Sequence, residues 1–116
     1  MEALMSKSAE TTARIRELND QLRTTFIGGR VLVTPGVRSL SPGANALLLE
    51  RVRSFADFSR DNDPYGQHDF GTIEIEGEMF FWKIDYYDPS MEGGSEDPAD
   101  PTKTTRVLTI MRADEY

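Results

Sequence analysis

The apolar positions along the chain follow two periods, and the change from one to the other divides it. From Ser8 to Phe26, the residues Ile15, Leu18, Leu22 and Phe26 recur at three- and four-residue spacing. That spacing predicts a helix with one apolar stripe, with Arg14, Arg16, Glu17, Asp20 and Arg23 mostly off it. Residues 1–7 precede the stripe and are expected to fray. Gly28 and Gly29 are placed to close the helix, because glycine adopts the left-handed conformation at little cost. RVLVT, from Arg30, then reads as a short strand stopped by Pro35-Gly36. Ser41-Pro42 signals a second helix, with a side-chain oxygen for the cap and a proline in the first turn. Ala44, Leu48, Val52 and Phe55 share one side of it, and Leu47 and Phe58 widen the stripe.

Past Phe58 the period becomes two. The segment SRDNDPYGQHD is polar and rich in turn formers, so it is a loop. In FGTIEIEG, Ile73 and Ile75 point one way and Thr72, Glu74 and Glu76 the other. Gly77 marks a tight connection into EMFFWKIDYYD, the strongest strand signal in the chain. Phe80, Trp82, Ile84 and Tyr86 lie on one face of that strand, and Phe81, Lys83, Asp85 and Tyr87 on the other. Residues 88–103 form a long acidic loop with three prolines and two adjacent glycines. A last strand, TTRVLTIMR, is apolar on both faces, as expected of a central strand covered on both sides. The predicted fold is α+β: one domain over residues 1–116, with an antiparallel sheet of three to four strands and two helices packed on one face.

Composition narrows the function classes. At 116 residues the chain is long enough to bury a core without staples, and it has no cysteine. Disulfides, thiolate metal sites and cysteine nucleophiles are excluded, and the usage fits a reducing compartment. No apolar run approaches the roughly 20 residues that span a bilayer, and the N-terminus does not read as a signal peptide. The expectation is a cytoplasmic protein that makes no membrane contact. The net charge of −7 is uneven: residues 1–60 carry +3 and residues 61–116 carry −10. The acidic half repels phosphate backbones, so no direct nucleic-acid contact is expected of it. The sharper expectation is a protein partner with a basic surface.

The segments NDPYGQHDFG, FWKIDYYD and TTRVLTIMRADEY, with IRELNDQLR upstream, resemble a family of small bacterial proteins built on a domain of unknown function, DUF3768. The likeness runs from about Ile15 to Tyr116. It implies a single-domain bacterial protein and supplies no activity, ligand or catalytic residue. One departure is Gln67, where the resemblance implies an acidic residue.

Three groups of residues could carry chemistry. Asp61, Asp63 and Gly66 imitate the start of a calcium loop, but the position that should supply a bidentate glutamate is Thr72. An Asx-turn explains these residues better. His68 is the single histidine and stands beside Asp69 and near Tyr65, as a general base held by a carboxylate would. No nucleophile elbow frames a serine, and no glycine-rich phosphate cradle follows a strand. A structural histidine bonded to a loop carbonyl is the simpler reading. Finally, Phe81 and Tyr87 flank Lys83 and Asp85 on the second face of the aromatic strand, where rings supply contact area for a partner or pack under a helix or the long loop. The sequence therefore points to a non-enzymatic interaction module, a small accessory, regulatory or inhibitory factor without cofactor, metal or catalytic residues. Its binding residues would be Phe81, Tyr87 and Asp85, together with the loop residues Asp61, Asp63, Tyr65, His68 and Asp69. The alternative is a small metal-dependent or hydrolytic enzyme that uses the Asp61–Asp69 loop.

Overall fold

The structure, a computed structural model, describes residues 2–116, with side chains from Ser8 onward. Residues 2–7, expected to fray, are helical, whereas Met1 lies outside the described residues. Helix α1 spans Glu2–Thr25, strand β1 Arg30–Val33, the short helix α2 Pro35–Arg38 and helix α3 Pro42–Arg53. Strands β2 (Phe70–Ile75), β3 (Glu78–Tyr87) and β4 (Thr105–Arg112) follow.

The four strands form one sheet in the order β1-β4-β3-β2. Strands β2, β3 and β4 make the expected antiparallel meander, but β1 pairs with β4 in parallel, from Arg30 opposite Val107 to Val33 opposite Ile110. The sheet is thus mixed rather than purely antiparallel. The cause lies in the connection: α2 and α3 carry the chain from one edge of the sheet to the other, so β2 sets out in the direction β1 took. Strands running the same way need such a helical crossover, whereas antiparallel neighbours need only a tight turn.

Both α1 and α3 pack on one face, over a core built from Leu22, Leu48, Val52, Ile73, Ile75, Phe80, Trp82, Ile84, Leu108 and Ile110. Ser41 accepts a hydrogen bond from the Ala44 amide and caps α3 as expected. That helix ends at Arg53, so Phe55 and Phe58 reach the core from the following loop and not from its last turn. Pro35, read as a strand stop, also sits in the first turn of α2. The left-handed residue closing α1 is Phe26, with φ 61°, and Gly28 follows at φ 106°. Gly71 has a separate role: a Cβ there would run into the Trp82 indole, so its absence lets the largest core side chain lie flat against β2.

The stripe on α1 is rotated from the expected one. Its buried positions are Ile15, Asn19, Leu22 and Arg23, while Leu18 is only half-buried. Two polar side chains therefore face inward. Arg23 donates from Nη1 to the carbonyls of Val52 (3.2 Å), Arg53 (3.3 Å) and Phe55 (2.7 Å), at and just beyond the C-terminus of α3. In return, Arg53 Nε donates to the Thr24 carbonyl near the end of α1. Each helix thus places a cation at the negative end of the other's dipole.

Candidate functional site

The residues singled out from the sequence fall on two separate parts of the molecule. The loop before β2 docks on α1. His68 Nδ1 lies 2.9 Å from Asp20 Oδ1, and Nε2 lies 3.6 Å from Asp63 Oδ2. The ring stacks on Phe58 at 3.7 Å between centroids. Asp20 Oδ1 also accepts from Arg23 Nη2 at 3.0 Å. His68 is thus held by carboxylates rather than by the expected loop carbonyl. Both ring nitrogens face carboxylates. Its backbone adopts φ 55°, and its amide donates to Asp63 Oδ1. Asp63 therefore works within the turn. Asp61 and Tyr65 are exposed, Tyr65 at 81 %, and stand outside this cluster. Among the described residues, no group of three or more His, Asp or Glu side chains is arranged to hold a metal ion.

Sequence reasoning missed a second polar cluster that fixes the same loop from below. Asn19, 0 % exposed, donates through Nδ2 to the Gln67 carbonyl (3.0 Å) and to the Tyr86 hydroxyl (2.7 Å). Its Oδ1 accepts from Arg106 Nε at 2.9 Å. Tyr86 donates onward to Gln67 Oε1, so the side-chain amide at 67 does work that needs no charge. Burial pushes the Tyr86 hydroxyl up to about 12, overriding the lowering by the Asn19 hydrogen bond. Arg106, 2 % exposed, has no carboxylate partner among the described residues. It donates to the Pro98 carbonyl and lies over the Tyr86 ring. The acidic segment 88–103 is thereby tied to the core. It also holds itself with Asx-type bonds from Asp88, Asp97 and Asp100, a bridge from Tyr87 to Gly94 and a 3-10 turn at Pro101–Lys103.

Asp69 lies at the base of the docked loop, and burial raises its carboxyl above the ordinary range, with Asp63 and Asp85 adding to the effect. A carboxyl raised in the folded state contributes its stability below the unfolded value, near 3.9, and loses it as pH rises through the folded value. Asp69→Asn is therefore expected to melt above the parent at pH 7, with the gap closing as pH falls below about 4. Melting curves across this range check it, and a gap that does not depend on pH would refute the assignment.

The second part is the sheet face opposite the helices. Here β1, β4 and β3 floor a cleft of ≈ 520 Å³ on the side away from α1 and α3. Leu32, Val107 and Met111 make its apolar floor, with Tyr87 and Met91 toward one end and Tyr116 at the other. Of the predicted contact residues, Tyr87 and Asp85 line this cleft. Phe81 does not, and packs instead between Phe70 (5.2 Å) and Tyr116 (5.6 Å). Lys83 and Asp85 pair across 3.0 Å, and this hydrogen bond holds Lys83 above the ordinary lysine range. Glu115 accepts from the Thr34 hydroxyl (2.6 Å) and from the Gly36 and Arg112 amides, which hold it below the ordinary carboxylate range. Its side chain pins the last turn beside the cleft. The two-sided apolar pattern of β4 pointed to this face, but the contributions of Leu32, Met91 and Tyr116 come from distant segments and carry no local signal.

The family model described as a protein of unknown function, DUF3768, matches residues 33–115. The chain belongs to the DUF3768 family. The match begins at the last residue of β1, so it takes in α2, α3, β2, β3 and β4 with the cleft's main walls, and leaves α1 outside. The likeness expected upstream, through IRELNDQLR, lies beyond the DUF3768 match. No curated protein and no solved structure matches the chain. No helix among the described residues is long and apolar enough to cross a membrane.

Proposed function

We propose that this chain is a non-catalytic interaction module that binds a protein partner on the helix-free face of its sheet. One observation carries the reading. Leu32 and Tyr116 stand 52 % and 75 % exposed in the lining of an apolar cleft whose floor, Val107 and Met111, points away from both helices. Two-layer domains usually turn polar residues outward on the uncovered face, so an apolar floor suits a surface that is covered in use. The loop around His68 is occupied with holding α1 to the sheet, which favours this reading over a hydrolytic or metal-dependent one. A cytoplasmic setting accompanies the proposal, since the chain has no cysteine.

The test is site-directed photo-crosslinking in cells that make the protein naturally. A crosslinking residue at Thr109, in the cleft, is expected to trap one protein. The same residue at Gly43, in open space at the start of α3, is not. Leu32→Arg should abolish the product. Equal labelling from both positions, or none from Thr109, would overturn the proposal.

A further inference from the structure

We infer that the free edge of β2 is a self-association site, at which two copies of this chain join their sheets strand to strand. The site lies apart from the cleft and does not depend on it. Strand β2 ends the sheet on its side. Successive residues of an antiparallel strand alternate between bonding their neighbour and turning N–H and C=O the other way. The Ile84 amide donates to the Asp69 carbonyl at 2.9 Å, so in the observed register Gly71, Ile73 and Ile75 bond to β3. The tight turn at Glu76 and Gly77, with φ 53° and 81°, closes the same ladder on the Ile75–Glu78 pair. The backbones of Phe70, Thr72 and Glu74 therefore point outward. None of the three bonds to a turn or loop among the described residues, and Thr72 and Glu74 are exposed. The loop that enters β2 is bound to α1, through Arg16, Asn19 and Asp20.

Open edges are ordinarily blunted by short length, proline, lysine or a bulge. The opposite edge is: β1 has 4 residues and runs straight into Pro35. Strand β2 is not. It has 6 residues in unbroken register with β3, and its one charge is Glu74. The occupant is a second copy because this edge is complementary to itself. A single antiparallel register sets all three outward residues opposite outward partners. Thr72 then faces Thr72 of the second copy, and Phe70 faces its Glu74. Each such pair exchanges both backbone hydrogen bonds, and Glu74 is kept from its own counterpart. Threonine opposite threonine is a favourable cross-strand pair. The two-fold axis of this pairing stands perpendicular to the sheet, so both helical layers lie on one side and both clefts on the other. An edge of 6 residues makes a small interface, so the dimer is expected to form reversibly with concentration.

The experiment is sedimentation velocity of the full chain from micromolar to millimolar concentration, where a monomer–dimer equilibrium is expected. Thr72→Pro should abolish the dimer and leave the melting curve of the dilute monomer near the parent's. Its N–H points outward, so proline there removes no bond of the β2–β3 ladder. Thr72→Lys and Thr72→Glu should each weaken association, because like charges then meet at the axis. An equal mixture of the two should associate about 2- to 10-fold more tightly than either alone, a result that requires position 72 to face itself. The charge pair decides the matter even if the proline variant fails to fold. A monomer at every concentration would overturn the inference. A dimer that survives Thr72→Pro, or a mixture no tighter than its components, would overturn it as well. Crosslinking from Thr109 reads the other surface, so the cleft reading stands or falls separately.

Discussion

Replacing Trp82 with alanine is expected to destabilise the protein by about 3–5 kcal/mol, the cost of deleting a fully buried large aromatic. The side chain is 0 % exposed and is the largest in the core. It meets Phe55 edge-on at 5.4 Å and Phe58 at 6.2 Å, and the Arg23 guanidinium lies over its ring. Little can collapse into the space, because the backbone of β2 already lies against the indole at Gly71. The melting temperature should fall by roughly 10–25 °C. Trp82→Phe should cost much less, since the indole Nε1 has no hydrogen-bond partner among the described residues and its removal orphans nothing. Urea unfolding of the two variants checks both statements. An unchanged midpoint for the alanine variant would mean that β3 presents its other face to the helices.

The second large effect is expected at Asn19. Asn19→Leu keeps the volume but removes three hydrogen bonds, and leaves Arg106 as a buried cation whose remaining described hydrogen bond goes to the Pro98 carbonyl. A loss of about 3–5 kcal/mol is expected, as when a buried charge loses its compensation. The diagnostic lies in the pair. With Arg106→Met also in place, no charge is left to orphan, and the double variant should be more stable than the sum of the single losses implies. Strict additivity in chemical denaturation would show that the two side chains do not act as one unit.

These two positions also mark what was legible in the sequence. The period-two run through Phe80, Trp82 and Ile84 reports directly on burial, and the structure places all three in the core. The same logic failed on α1, because it assigns polar residues to the outside. Asn19 and Arg23 are inside, and their partners, Gln67, Tyr86, Val52, Phe55 and Arg106, lie far along the chain. A buried polar contact is readable only from both of its ends. The loop at Asp61–Asp69 shows the converse. Its residue types suggested a metal or a general base, yet the residue that decides how His68 is held is Asp20, on another element. The direction of β1 was hidden for a similar reason, since a four-residue strand states its faces but not its neighbour.

The parallel pairing of β1 has a consequence for the order of events at the ribosome. Its strand partner, β4, is the last of the four strands to be made. Until it emerges, β1 has no ladder to join, and the apolar stripes of α1 and α3 have only each other and the β2–β3 hairpin to cover them. Sheet closure must therefore await Thr105–Arg112, and it links distant segments at the loop-closure cost that slows folding. A nascent chain stalled before Thr105 would be an open sandwich with its interior exposed, and chaperones should find it there.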